Sequence, residues 1–272
     1  MSLNKTNKEL AYLKDLYVAP DWSERFAELF DDNVSLLDEG RVLYVEANTG
    51  GHAIALQEKM GERVEVVGVD ESEESIELAR AKANVAKRKG VSFYQSALDA
   101  LYFDDSEFDL VIGDGSLVRP HRLVQMMAEM VRVASVGATV ALTLPTSGSF
   151  GEFFSIFWEA LLNADLIGHS VDVENLITEL PTVSTIEELA QQSGLEDVTS
   201  ITKLEEFDFE TGEEFLSSPL IMNFLLPVWL TTLPEETHEQ VREEIARVID
   251  ESRDEMDFAL SVKATLVKGI KS

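Results

Sequence analysis

The sequence predicts an α/β protein: a doubly wound, mostly parallel seven-stranded sheet, with a helical segment ahead of it and helical insertions late in the chain. Three observations predict it. Strand-like and helix-like stretches alternate with short links from Arg41 to Pro145. The first strand is followed by a glycine-bearing turn, a helix and a second strand that ends on an acid, Asp70. Two further strand patterns, 197–209 and 258–270, bring the strand count to seven.

Taken in order, residues 4–40 look helical, with Leu10, Leu13, Leu16 and Tyr17 at helical spacing. Asp21, with Glu24 three residues on, is placed to cap a second helix carrying Phe26, Leu29 and Phe30. VLYV at 42–45 is a short apolar run that suits a strand buried on both faces. After the turn, Ala53 to Met60 read as a helix and 64–70 as the second strand. Ser72 caps a helix that presents Ile76, Ala79, Ala83 and Ala86 on one face. Strands follow at 91–95, 108–115 and 138–144, the last two separated by a helix from Pro120 to Ala134.

The second half is less regular. Ser149 with Glu152, and Ser184 with Glu187, match the capping-box spacing ahead of two helices, the second stopping at Gly194. Residues 211–256 interrupt the last two strands with an apolar run at 220–230 and an acidic helix from Pro234 to about Asp254. The expected organisation is therefore a helical segment at 1–40, a core at 41–145, a helical insertion at 146–183, completion of the sheet by 184–210 and 257–272, and a cap insertion at 211–256.

Composition excludes several function classes. A chain of 272 residues with 45% hydrophobic content can bury a full core. The net charge of −29 repels a phosphate backbone and disfavours a nucleic-acid substrate. No cysteine is present, so neither disulfides nor thiolate metal sites arise. His121 and His169 have no partner at ligand spacing, so no metal is assigned. The N-terminus has no apolar stretch of a secretory signal, and the apolar run from Pro219 to Leu233 is too short to span a membrane, so a cytoplasmic protein is expected.

The first strand, its turn and the second strand make a nucleoside-binding unit. Glycine lets the backbone take positive φ and approach a ligand closely. The following helix offers unpaired N–H groups, and an acid at the tip of the second strand accepts ribose hydroxyls. Here the turn is Glu46-Ala47-Asn48-Thr49-Gly50-Gly51 and the acid is Asp70, twenty residues after Gly50. That spacing alone also suits a dinucleotide-dependent oxidoreductase.

FDLVIGDGSLV at 108–118, and HRLVQMMAEMVRVASVGATVALTLP at 121–145, tilt the choice. This stretch resembles the fourth strand, a helix ending in Arg-Val and the fifth strand of class I S-adenosylmethionine-dependent methyltransferases. The two late strands resemble that family's final antiparallel pair, and the N-terminal helices its usual lead-in. The resemblance covers residues 10 to 145 and the last two strands. It implies a Rossmann-like methyltransferase fold with S-adenosyl-L-methionine as cofactor. It places the loop with Glu46, Asn48, Gly50 and Gly51 at the methionine and ribose, Asp70 and Glu71 at the ribose, and Ser96, Ala97 and Leu98 against the adenine. Gly113 and Asp114 then border the methyl-transfer site, and Tyr17 reaches the methionine end.

The sequence departs from the family loop, which resembles Asp-x-Gly-x-Gly-x-Gly. Tyr44 stands at the acidic position, Glu46 at the first glycine and Asn48 at the second. Asn enters the left-handed region readily. Glu46 either fills the cofactor's place or stands in for the acid lost at Tyr44 and binds the cofactor's amino group. The resemblance implies a methyltransferase acting on a small molecule by direct displacement, without an identifiable catalytic base. The apolar insertions suggest an apolar or aromatic acceptor, and core packing or a homodimer contact is the competing use of Phe153, Phe154, Phe157 and Trp158. A non-catalytic relative that serves as a partner-binding or structural subunit is the alternative, in which the Glu46 side chain closes or fills the loop. For Met126, Met127 and Met130, core packing is the simpler expectation.

Overall fold

The computed structural model describes residues 5–252 and 258–272. The first residues of the expected N-terminal helix and the end of the acidic helix near Asp254 lie outside them. The chain divides into two compact units, one formed by residues up to Leu144 with Val183–Thr202 and Thr265–Ser272, the other by Pro145–Thr182 and Lys203–Ala264.

The first unit holds the parallel part of a seven-stranded sheet. Its strands are β1 (Gly40–Val45), β2 (Val64–Asp70), β3 (Val91–Gln95), β4 (Phe108–Asp114), β5 (Ala134–Pro145), β6 (Leu195–Phe209) and β7 (Phe258–Lys271), in the order β3-β2-β1-β4-β5-β7-β6. The pairs β1–β2, β1–β4, β2–β3 and β4–β5 are parallel. The last two strands run against each other: Leu195 lies beside Gly269, and the Thr202 and Thr265 hydroxyls meet at 2.8 Å. The sheet is thus mixed, as expected from the chain's strand pattern. Its edges are the short β3 and the acid-rich β6.

Helix α1 (Asn7–Leu13) starts on a Thr6–Glu9 capping box. A π-helical stretch, Lys14–Ser23, then runs directly into α2 (Glu24–Asn33). Asp21 therefore caps nothing, and pairs with Arg25 at 3.3 Å instead. Helices α3 (Gly51–Met60) and α4 (Glu73–Val85) follow β1 and β2, and Ser72 caps α4 by accepting from the Ser75 N–H at 3.1 Å. Helix α5 (Leu123–Val133) follows a short 3₁₀ turn at Pro120–Arg122. It buries Met126, Met127, Met130 and Val131 in one apolar cluster with Leu43, Val45, Val111 and Val140. These methionines are packing residues.

The second unit carries α6 (Gly151–Asn163) and α7 (Ser170–Glu179), while α8 (Val183–Gln192) belongs with the first. It continues with α9 (Gly212–Ser217), a π-helical turn at Ile221–Leu225, α10 (Leu226–Leu230) and α11 (His238–Ser252). The aromatic stripe on α6 is its core. Phe153 stacks on Trp229 at 4.0 Å and on Phe157 at 5.5 Å, and all three are buried. Two expected capping boxes do not form. Ser149 donates to the Thr146 carbonyl and accepts from the Lys263 N–H, while Glu152 accepts from the Ser261 hydroxyl. Ser184 lies inside α8, and Glu187 accepts from Ser200 at 2.5 Å. At Ser149 a partner far along the chain outcompetes the helix end, whereas α8 already runs through Ser184. No helix of the described residues is long and apolar enough to cross a membrane.

Candidate active site

Strand order and register build the site before any loop is considered. β1 lies between β2 and β4, where the chain reverses the direction in which it adds strands, the place where open parallel sheets bind ligands. Val45 sits level with Val69 on one side and Gly113 on the other. One residue further along each strand is an acid: Glu46, Asp70 and Asp114. The parallel register therefore brings three carboxyl groups to one edge.

The loop that follows β1 is bound to that edge. The Ala47 N–H donates to the Val69 carbonyl at 2.8 Å and the Asn48 N–H to Asp70 Oδ2 at 3.0 Å. The Asn48 side-chain amide donates to the Glu46 carbonyl at 2.9 Å and to Asp114 Oδ2 at 3.0 Å. Glu46, Asn48 and Gly50 all have positive φ, at 57°, 53° and 77°. The loop is thus left-handed at three positions, two of which carry side chains. A Cβ on Gly50 would lie 2.7 Å from Ala79 Cβ and Phe93 Cζ, so this glycine serves the packing of α3 against α4 and β3. Gly51 has room for a side chain: a Cβ there would meet Lys82 Nζ at 4.0 Å. Gly113 makes room for Met126 and Met130 from α5.

Asp70 is buried at the tip of β2. Its carboxylate accepts from the Asn48 N–H and from the Ser72 N–H at 2.9 Å. A carboxylate has about four acceptor positions, so about two remain for a ligand. Asp114 is also buried, and accepts from the Ser116 N–H at 2.9 Å as well as from Asn48. Burial raises its pKa despite these bonds. Glu46 Oε1 is fully buried and has no hydrogen-bond partner. Burial first, then the neighbouring Asp70 charge, push the Glu46 carboxyl well above its usual range. Lys14 works in the opposite direction on both Glu46 and Asp114.

Glu71 is held in a bidentate pair with Arg122, both contacts at 2.7 Å, and Arg122 also reaches Asp99 at 3.1 Å. Arg122 holds the Glu71 carboxyl below its usual range. Ser96 donates its N–H to the Asp70 carbonyl at 3.1 Å. Ala97 is exposed, and Leu98 buries its side chain in the core cluster. Ser96, Ala97 and Leu98 thus follow β3 beside the tip of β2. Tyr17 is 56% exposed on the π-helical stretch. The residue of that stretch that meets the loop lies two positions earlier: Asp15 accepts from Thr49 Oγ1 at 2.5 Å and pairs with Lys82. Sequence reasoning did not single out Lys14, Asp15, Lys82 or Arg122.

Nor did it foresee what replaces the family acid at Tyr44. The Tyr44 hydroxyl meets His52 Nδ1 at 3.1 Å, and His52 Nε2 meets Asp31 at 3.3 Å. Asp31 also pairs with Lys59 at 2.5 Å. Burial raises the Tyr44 pKa, so the phenol stays neutral and serves as a strut behind the loop.

A five-stranded parallel sheet closed by an antiparallel pair, with a left-handed loop and a strand-tip acid at the reversal of strand order, defines the class I methyltransferase architecture. A family model for the methyltransferase domain matches residues 37–208, more than half of the chain, which belongs to the class I S-adenosylmethionine-dependent methyltransferase family. A demethylmenaquinone methyltransferase from Shouchella clausii is 31% identical over 123 residues, 44% of this chain and 52% of that one. The chain thus spans about half the length of the curated relatives it matches. The YcgJ protein from Bacillus subtilis shares the fold, with a TM-score of 0.59 at 17% identity, covering 91% of this chain and 98% of that chain. So does phosphoethanolamine N-methyltransferase 2 from Haemonchus contortus, solved with phosphomonomethylethanolamine and S-adenosylhomocysteine. Its TM-score is 0.58 at 14% identity, covering 99% of this chain and 59% of that chain.

The residues present fit the family's nucleoside. Asp70 keeps acceptor positions free at the tip of β2, and Glu46 holds a buried acceptor oxygen that nothing in the protein satisfies. A ligand with hydroxyl donors and a cationic end answers both.

Proposed function

We propose that this protein is an S-adenosylmethionine-dependent methyltransferase acting on a small molecule by direct displacement. The observation that carries this reading is the buried Asp70 carboxylate, oriented by two backbone N–H groups with acceptor capacity to spare. Asp70 would accept the ribose hydroxyls, with Glu71 fixed beside it by Arg122. Glu46 and Asn48 would face the methionine end, Ser96, Ala97 and Leu98 the adenine, and Asp114 the site of transfer. When bound, S-adenosylmethionine supplies an already activated sulfonium methyl. The protein's task is then to bind, orient and exclude water. As acceptor we put first an apolar or aromatic small molecule, a reading supported by the demethylmenaquinone methyltransferase among the relatives.

The non-catalytic alternative has Glu46 closing the loop. A carboxyl that served to close the loop would bond within it, and Glu46 Oε1 has no such partner.

Calorimetric titration with S-adenosylmethionine and S-adenosylhomocysteine tests the proposal. Micromolar binding is expected, weakened by about 1–3 kcal/mol in Asp70→Ala. Thermal melting of Asp70→Ala separates a lost ligand contact from lost folding. No heat and no shift in melting at millimolar ligand would remove the enzyme reading.

A further inference from the structure

Glu46 stands where the family loop has glycine, and it is not turned outward. Its backbone takes φ 57°, and its Oε1 is buried without a donor. Strand register puts it between Asp70 and Asp114. The charged groups facing it are Asp70 and Glu71 at the end of β2, Asp114 at the end of β4, and Lys14 from the N-terminal helices. Three acids thus face this carboxyl against one cation. Ionising it with no positive charge brought beside it adds a buried negative charge among like charges, which is costly. A positive charge delivered by a ligand reverses that cost.

We propose that Glu46 is the counter-ion for a cationic centre on the nucleoside ligand, its ammonium or its sulfonium, and gives up its own proton to solvent as that centre enters. The O–H bond of the carboxylic acid breaks, the electron pair stays on the carboxylate and the proton passes to buffer; no other bond changes. This deepens the cofactor reading above and rests on it. The pocket then reads the charge of its ligand as well as its shape. If the sulfonium is the partner, methyl transfer removes the charge that holds the carboxylate ionised. Glu46 then takes back a proton, and the product is held less tightly than the substrate.

The test is calorimetry near neutral pH in two buffers of different ionisation enthalpy, with three probes. S-adenosylmethionine carries both cations, S-adenosylhomocysteine only the ammonium, and 5′-methylthioadenosine neither. The expected result is release of close to one proton with S-adenosylmethionine and none with 5′-methylthioadenosine. Release with S-adenosylhomocysteine identifies the ammonium, and its lack there identifies the sulfonium. Glu46→Gln should abolish the release and weaken S-adenosylmethionine by about 10- to 100-fold, while leaving 5′-methylthioadenosine nearly unchanged. Glu46→Gly, which also removes a side chain from a left-handed position, should give the same readout, with thermal melting of both variants checking that they fold. Tight binding of S-adenosylmethionine without proton release, or release that persists in both variants, overturns the counter-ion role and leaves the methyltransferase reading standing. Failure of all three probes to bind the wild-type protein overturns both.

Discussion

Asn48 and Asp114 are joined by a 3.0 Å hydrogen bond that ties the loop after β1 to the end of β4. The same amide group holds the Glu46 carbonyl, so one side chain fixes the loop's entry and its lateral position. Replacing Asn48 by Ala removes both bonds and puts a less tolerant residue at φ 53°. A loss of about 1–3 kcal/mol in urea unfolding is expected. Asn48→Gly should lose less, because the backbone strain is absent. Equal losses in the two variants would show that conformation contributes nothing.

Two adjacent glycines should respond in opposite ways. Gly50→Ala drives a Cβ to within 2.7 Å of Ala79 and Phe93 at φ 77°, for an expected cost of about 2–4 kcal/mol. Gly51→Ala enters open space in the first turn of α3 and should stabilise by about 0.4–1 kcal/mol. Thermal melting of the pair decides it.

Glu46 should also leave a mark on stability in the absence of ligand. Its folded pKa lies well above the unfolded value of 4.5, with burial the leading cause. Its contribution is therefore fully present below about pH 4.5 and is lost as pH rises toward the folded value. Glu46→Gln should be more stable than wild type at neutral pH, and the two should converge on acidification. A gap that widens toward low pH would contradict the burial seen here.

Asp31 behaves in the reverse sense. The His52 hydrogen bond, aided by Lys59, lowers its pKa from 3.8 to about 2. Stability from this group is present above about 3.8 and is lost as pH falls through about 2. Because the pair with Lys59 is largely solvated, Asp31→Asn should cost only about 0.5–1 kcal/mol at neutral pH. The difference from wild type should shrink between those two pH values in acid unfolding.

Asp15 anchors the N-terminal helices to Thr49 and to Lys82 on α4. Asp15→Ala should raise amide hydrogen exchange across Lys14–Ser23 while leaving β1 and β4 protected. Unchanged exchange would mean that Val18 and Trp22, both fully buried, hold the stretch by themselves.

The sheet was legible because strands leave short apolar runs, unbroken in VLYV of β1 and interrupted by polar residues toward the edge strand β3. VEVVGVD and VSFYQ coincide with β2 and β3 to the residue. The acids at the strand tips were legible for the same reason: Glu46, Asp70 and Asp114 each end such a run. The cap at Ser149 was misread because a local pattern says nothing of the distant groups that compete for its atoms, and those at Asp21 and Ser184 because the helix already runs through each residue. Ser149 finds Lys263, and Glu187 finds Ser200. Lys14 and Asp15 escaped notice on similar grounds. Helical periodicity shows which face of a segment is buried, but the loop it is buried against is set by the tertiary fold.

One edge of the sheet is β6, and along it stand the exposed acids Glu196, Asp197, Glu206 and Asp208. An edge strand offers unpaired backbone groups to any similar strand, which is how sheets join into aggregates. A second copy approaching this edge meets the same row of negative charge. The strand that finishes the fold therefore also guards it, and concentrated salt, by screening that row, would lower the guard.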